Sequence, residues 1–522
     1  MNLGDILAAS ARHHPDRVAM VWDEGNQRRA YRDMNRRADA LAAALVADLG
    51  VRPGDRVSVM MTNGPSLLET LFATWKAGAT IAPLNARYTA DEIVFLVTDA
   101  EAETVVVGAD LAPAVLGLAE KLSGVRNFVV AGDDQGEHGD HPVFEGLIER
   151  HLGERAPDPG TTDADIAWLA YTSGTTGRPK GAMLSHGCLT FVGVSWLADL
   201  QRLEPDDVGL VAAPLTHGAG IMALAFVMKG ATQVIMAAFE AGRFLGAVTT
   251  EKVTHSWLVP TQIKMLLDHP DLDGTDLSSL KTIVYGASPM YVEDLREAMD
   301  RIGPVFVQLF AQTESPMVGT YLPAADHILD GPGRERLASC GHARSGVEVR
   351  ILDDDDKPAP AGEIGEICIR GPALMSGYWR QPEATAETLR NGWLHTGDVG
   401  KMDDQGYVYI LDRTKDMLIS GGLNVYPREI EEVLLQHPDI SQVAVIGVPD
   451  ERWGETPKAF VVPVEGAAPA EADVIAFAAE RLAGFKKPRS VELVGELPKT
   501  PIGKIDKKTL RAPYWAERER MV

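Results

Sequence analysis

Cysteine is scarce in this chain: three residues, Cys188, Cys340 and Cys368, among 522. Their wide spacing builds neither a disulfide framework nor a zinc pattern, so reduced, structural thiols are expected. Basic residues are outnumbered, 50 against 74 acidic, for a formal net charge of −24. A broadly acidic surface argues against nucleic acid as the main partner, and any polyanionic ligand must find a local basic patch. No uninterrupted apolar run reaches the about 18 residues that would span a bilayer. Even GIMALAFVMKGATQVIMAAF is broken by Lys229, Gly230 and Gln233. The start, MNLGDILAASARHHPDRVAMVW, has no basic segment followed by an apolar core, so no secretory signal is expected and the expected compartment is the cytoplasm.

What is present is the composition of a globular protein, 45% hydrophobic and 24% charged, in a chain long enough for two or more domains. Amphipathic helical stretches such as YRDMNRRADALAAALVADLG and SLLETLFATWKAGA alternate with apolar runs at DRVSVMM, ETVVVGA, RNFVVAG, DVGLVAAPL, TQVIMAAF and KTIVYGA. That rhythm predicts α/β layers with largely parallel sheets. Composition shifts near 345, where VEVRILDDDDKPAPAGEIGEICIRG reads as two strands around a polar turn. The four aspartates at 353–356 are read as a solvated turn and not a metal site, because consecutive carboxylates point apart and repel. After YVYILDRTKD a new unit begins, with helix PREIEEVLLQHP, strands SQVAVIGV and KAFVVPV, and helix EADVIAFAAERLAG. The expected fold class is thus α/β. A large N-terminal domain, 1–411, has a β-rich portion at about 340–411, and a small α+β domain occupies 412–522.

The richest chemistry lies in YTSGTTGRPKG, after the strand-like DIAWLAY. It is not the common phosphate loop, which needs Gly-Lys followed by Ser or Thr: here Gly181 follows Lys180. Glycines still admit an anion close to the backbone, Ser173, Thr175 and Thr176 donate hydroxyl hydrogen bonds, and Lys180 adds charge.

This loop resembles the signature of AMP-forming acyl-CoA synthetases, in the adenylate-forming superfamily that includes firefly luciferase and peptide-synthetase adenylation domains. Further motifs follow in family order along nearly the whole chain: KAGATIAPLNARYTADEI, PLTHGAG, YGASP, FAQTES, GWLHTGDVG, DRTKDMLISGGLNVYPREIEEVL and PKTPIGKIDK. The resemblance implies an acid–CoA ligase that joins a carboxylate to AMP, releasing pyrophosphate, and then passes the acyl group to the thiol of coenzyme A. ATP and Mg2+ are implied with it. It assigns nucleotide contacts to Thr172, Ser173, Gly174, Thr175, Thr176, Gly177 and Lys180. Further contacts fall to Ala287, Ser288, Phe310, Ala311, Gln312, Thr313, Tyr409 and Arg413, and Asp398 would accept both ribose hydroxyls. Glu314 would hold Mg2+ beside Thr313, as a hard oxygen donor suits that ion. Lys504 would neutralise charge where carboxylate and phosphate meet. The small domain would rotate about Lys415 between the half-reactions, bringing Gly421 and Gly422 to the pantetheine arm, with Lys486 toward the coenzyme A phosphates.

Two departures bear on the substrate. The Thr-Glu motif more often begins Tyr-Gly and here begins Phe310-Ala311, which adds a methyl group where the acyl chain usually passes. Peptide-synthetase domains place an Asp at the position of His217, so an amino acid substrate is not expected. The acyl pocket expected from the motifs comprises His217, Gly218, Ile221, Ala287, Ser288, Ala311 and Met317, without a fixed charge, which suits a fatty or aryl acid. Two alternatives stay open: transfer to a carrier protein or another nucleophile, and a non-catalytic nucleotide-binding regulator. Lys504, Glu314 and Asp398 argue against the regulator. A homodimer is left open.

Overall fold

The computed structural model describes residues 1–22, 27–132, 141–172, 179–288, 290, 292–413, 416–420, 423–450, 452–499 and 505–515, with only the backbone of 413. Contacts divide the chain into two compact units, one of residues 1–349 and 369–394, the other of 350–368 and 395–522.

The larger unit is α/β and contains two sheets. In the six-stranded sheet, Asn127–Ala131, Thr104–Gly108, Arg56–Met60, Thr80–Pro83 and Ile166–Thr172 are neighbours in that order and parallel, and Lys180–Ser185 closes the series antiparallel to Ile166–Thr172. The nine-stranded sheet is parallel through its middle and antiparallel at both edges. The apolar runs read as strands are buried after their first residue, and all five residues of Thr104–Gly108 are buried, as parallel sheets covered on both faces require.

One core joins the two sheets. Val57, Ile81 and Trp168 from one and Val211, Ile235 and Val284 from the other belong to a single cluster with helix residues Leu41, Phe72, Trp75 and Phe226. Helix Gly218–Lys229 lies in it, buried at every position from Ala219 to Val227. Its all-round hydrophobicity is thus that of a core helix. Among the described residues no helix is long and apolar enough to cross a membrane. At helix Ala90–Asp99, Thr89 and Glu92 cap each other's backbone, the capping box latent in the YTADEI stretch.

The smaller unit includes Val408–Arg413, antiparallel to the 398–402 stretch. It also has a second sheet in the order Leu423–Val425, Leu418–Ser420, Gly454–Pro463, Ile440–Asp450, with Ser490–Leu493 beside Gly454–Pro463. Helices Pro427–Leu434 and Glu471–Ala479 cover one face through Ile430, Leu434 and Val474. On the other face Ile446 and Phe460 meet Leu510 and Tyr514 of helix Lys507–Trp515. The four aspartates at 353–356 form a turn closed by Asp353, whose Oδ1 accepts from the amides of Asp355 and Lys357 at 2.9 Å each.

Three histidines are locked neutral in the larger unit. Burial pushes His186, His255 and His327 each down to about 4. Unfolded, each returns to about 6.5. The unfolded chain therefore binds more protons between these values, and stability that is fully present above pH 6.5 is lost as pH falls toward 4. Urea unfolding is expected to show a midpoint that drops from pH 7 to pH 5, with net uptake of roughly two or more protons. A pH-independent midpoint across that window would contradict the assignment.

Candidate active site

Parallel pairing decides which loops meet. Val208–Val211, His255–Leu258, Thr282–Gly286 and Phe306–Gln312 run in one direction as sheet neighbours. Their C-terminal ends share an edge, the edge at which open α/β sheets bind ligands. The connections leaving it carry His217, Ala287 with Ser288, and Thr313 with Glu314. Residues almost a hundred positions apart are gathered there by backbone hydrogen bonding alone.

The backbone at this edge is tight. A Cβ at Gly286 would lie 2.2 Å from the carbonyl oxygen of Leu309 on the adjacent strand. The next residue, Ala287, has φ 69°, and Met317 has φ 57°. Left-handed conformations in non-glycine residues cost about 1–3 kcal/mol each and cluster at functional sites.

Thr313 and Glu314 form the two-residue turn between Phe306–Gln312 and Ser315–Leu322, with Gln312 opposite Ser315. The register slips between Phe310 and Gln312, so the departure from the family pattern, Ala311, sits at an irregularity of the kind that re-aims side chains. Glu314 is buried, and its Oε1 accepts a hydrogen bond from the Tyr378 hydroxyl at 2.6 Å. Burial, and then the negative charge of Glu314, hold the Tyr378 phenol above its ordinary range, so it remains a donor. The Lys180 ammonium lies over the Tyr378 ring, 5.1 Å from its centroid. Lys180 itself begins a strand directly opposite Thr172, the last residue of the preceding one. Ser173, Gly174, Thr175, Thr176 and Gly177 lie outside the described residues. A buried carboxylate at a turn, with a hydroxyl-bearing Thr313 beside it, is an oxygen donor set that fits Mg2+.

On the acyl side, His217 precedes helix Gly218–Lys229 and bonds through Nδ1 to the Thr216 hydroxyl at 3.1 Å. Burial pushes the imidazole down, against the raising effect of Thr216, leaving it neutral near pH 7. Gly218 and Ile221 stand three residues apart on that helix and share a face. A Cβ at Gly218 would fall 2.1 Å from Met317 Cε, so these two expected pocket residues touch. Behind them, the buried Arg344 donates to the Met317 carbonyl and pairs with Asp199 at 3.3 Å. Neither Arg344 nor Tyr378 stands out in the sequence: each contact joins segments far apart in the chain.

Within the smaller unit, Asp398 is buried and stands opposite Arg413 in the antiparallel ladder. Its amide donates to Thr396 Oγ1 at 3.1 Å, and Thr396 donates to the Ile367 carbonyl at 2.6 Å. Glu366 accepts from the Gly397 amide at 2.8 Å and pairs with His395 Nδ1 at 2.7 Å. The only His/Cys/Asp/Glu group among the described residues compact enough for a metal ion is Glu366, Cys368 and His395. Glu366 there already bonds to its neighbours and holds the turn before Asp398. Tyr409 donates to Asp403 at 3.2 Å and carries Lys401 over its ring. Lys486 Nζ lies between both oxygens of Glu429, at 2.8 and 2.7 Å, so a phosphate approaching it must compete with that carboxylate. Lys415, Gly421, Gly422 and Lys504 lie outside the described residues.

The helix following residue 504 is anchored by Lys507 to Glu431 at 2.8 Å and by Arg511 to Asp416 at 2.8 Å. Burial alone would lower the Lys507 pKa, but Glu431, Asp412 and Asp416 together raise it.

Comparison with known proteins converges on one family. The AMP-binding enzyme model matches residues 7–379, and the AMP-binding enzyme C-terminal domain model matches 429–504. A feruloyl-CoA synthase of an Amycolatopsis species is 40% identical over 514 residues, covering 98% of this chain and 99% of that protein. A medium/long-chain-fatty-acid–CoA ligase of Mycobacterium tuberculosis is 33% identical, covering 99% and 91%. Among solved structures, the amide bond synthetase of Marinactinospora thermotolerans superposes with a TM-score of 0.88 at 30% identity, covering 98% and 100%. With His217, Ala287 and the Thr313–Glu314 turn on one sheet edge and both family models matched in order, the chain belongs to the AMP-binding enzyme family of the adenylate-forming superfamily.

Proposed function

We propose that this protein is an ATP-dependent carboxylic acid–CoA ligase acting on an aryl or medium- to long-chain fatty acid. The observation that carries the substrate class is the contact of Gly218 with Met317 beside a neutral His217, side chains without fixed charge, while the guanidinium behind them is turned to the Met317 carbonyl and Asp199. Such a lining suits an apolar acid tail and disfavours an amino acid or a second carboxylate. The feruloyl-CoA synthase and fatty-acid–CoA ligase likenesses support the same class.

The chemistry follows from the charges. In the first half-reaction a carboxylate oxygen attacks the α-phosphorus, an O–P bond forms, and the bond to pyrophosphate breaks. Two anions must meet, so positioning and charge neutralisation carry the step. Thr172, Lys180 and the hydroxyl residues between them would hold the outgoing phosphates, and Asp398 the ribose. Glu314, with Thr313, would hold Mg2+, which supplies charge neutralisation to the triphosphate when bound. Lys504 would bridge the acyl carboxylate and the α-phosphate. In the second half-reaction the coenzyme A sulfur attacks the acyl carbonyl, a C–S bond forms, and the C–O bond to AMP breaks. A free thiol of pKa about 8.5 must first lose its proton. Rotation of residues 412–522 about Lys415 would exchange Lys504 for Gly421 and Gly422 between the two steps.

Two outcomes test this reading. Lys504→Ala is expected to slow acyl-AMP formation about 100-fold or more, while thioester formation from supplied acyl-AMP stays close to wild type. Equal loss in both half-reactions, measured by rapid quench, would remove Lys504 from the adenylation step. Gly218→Ala forces the flexible end of Met317 aside, so it is expected to raise KM for the acid about tenfold, leave KM for ATP unchanged and cost about 1–3 kcal/mol of stability. An unchanged KM for every acid of a fatty and aryl panel would place the acyl pocket elsewhere.

A further inference from the structure

The segment from Met375 to Trp379, ahead of helix Pro382–Thr388, belongs to no motif that assigns it a role, yet it binds both halves of the phosphate-side site. On one side it pairs with the strand that begins at Lys180. Ser376 donates to the Met183 carbonyl at 2.8 Å, Met183 donates back to Gly377 at 2.9 Å, and Trp379 donates to Gly181 at 2.7 Å. On the other side the Met375 amide donates to the Glu314 carbonyl at 2.8 Å. The strap is itself fixed: Tyr378 donates its amide to Thr385 at 2.8 Å, and the Trp379 indole donates to the Asp99 carbonyl at 2.9 Å beneath Arg56.

Tyr378 is the one side chain of this strap that reaches both partners. Its hydroxyl meets Glu314 at 2.6 Å, and its ring face meets the Lys180 ammonium at 5.1 Å. A phenylalanine would fill the same buried space and keep the cation over the ring; the hydroxyl adds the charge-assisted bond to the Glu314 carboxylate and a neutral one to Thr388. Two other buried tyrosine phenols of the larger unit go elsewhere: Tyr31 donates to the Ala231 carbonyl at 2.6 Å, and Tyr285 meets His327 at 3.0 Å. A glutamate at a turn has three side-chain torsions to fix. Holding Oε1 fixes them and leaves Oε2 as the oxygen to be offered to a ligand.

We propose that Tyr378 is a positioning residue of the adenylation step, its hydroxyl orienting the Glu314 carboxylate toward metal-bound triphosphate while its ring sets the place of Lys180. This rests on Glu314 being the residue that holds Mg2+. The tyrosine touches neither the reacting atoms nor the metal; it acts through the two residues that do.

The test measures metal binding without turnover. Mn2+ is titrated into the full chain with α,β-methylene ATP, whose bridging carbon prevents transfer of its adenylyl group, and bound Mn2+ is read by electron paramagnetic resonance. Tyr378→Phe is expected to weaken Mn2+ binding about tenfold, the loss of one charge-assisted hydrogen bond, with an unchanged melting midpoint. Tyr378→Leu, which also removes the ring from Lys180, is expected to weaken binding of the nucleotide itself as well. Glu314→Gln serves as the reference. Weak Mn2+ binding in Glu314→Gln with wild-type binding in Tyr378→Phe overturns the role of the tyrosine alone. Wild-type binding in Glu314→Gln overturns the metal assignment and this inference with it. A lowered melting midpoint with unchanged Mn2+ affinity in Tyr378→Phe reduces the tyrosine to packing and also overturns the proposal.

Discussion

The parallel register of the nine-stranded sheet is the constraint on which the site of the larger unit depends. Ile283 to Gly286 pair with Phe306 to Leu309, and His255 and Ser256 with Gly209 and Leu210, so three chain reversals open at the same edge. Parallel strands permit this because each must return through a helix on the sheet face, leaving the C-terminal ends free for loops. The close approach of Gly286 to Leu309 and the left-handed Ala287 follow from packing the loops into that edge. Placement of the Thr313–Glu314 turn follows as well, since it is the tip of the hairpin that continues the sheet.

Charge is the second theme. A chain of net charge −24 has to hold a triphosphate and a carboxylate together. Lys180 stands over the Tyr378 ring beside the buried Glu314 carboxylate, whereas three cations of the smaller unit are already paired. Lys486 is held by Glu429, Lys507 by Glu431 and Arg511 by Asp416. These pairs tie basic residues near the C-terminus to carboxylates of the smaller unit, Lys507 and Arg511 from the helix that follows residue 504. Breaking the part-buried Lys507–Glu431 or Arg511–Asp416 pair would leave one charge unmatched.

Much of this was legible in the sequence, and the reason differs by feature. The alternation of apolar runs and amphipathic stretches gave the layered α/β organisation because burial on both faces of a parallel sheet leaves a local signature, as at Thr104–Gly108. The Thr-Glu and His-Thr-Gly-Asp motifs were readable because their residues are contiguous. Tyr378 was not, because the bond that gives it meaning spans 64 residues and the sequence SGYW is equally that of a core aromatic at a turn. Arg344 was hidden for the same reason, its partners being Asp199 and the carbonyl of Met317. The Glu429 partner of Lys486 was hidden for the same reason, since that carboxylate comes from a helix start 57 residues earlier.

The central claim is that activation passes through an acyl adenylate, and isotope transfer tests it without reference to any one side chain. With an acid that turns over, such as ferulic or octanoic acid labelled with 18O in both carboxyl oxygens, attack of the carboxylate on the α-phosphorus carries one labelled oxygen into AMP. Mass spectrometry of the products is expected to find AMP bearing one 18O and pyrophosphate bearing none. Label in orthophosphate, with unlabelled ADP as the other product, would mean that the carboxylate attacks the terminal phosphate, and the account would be wrong.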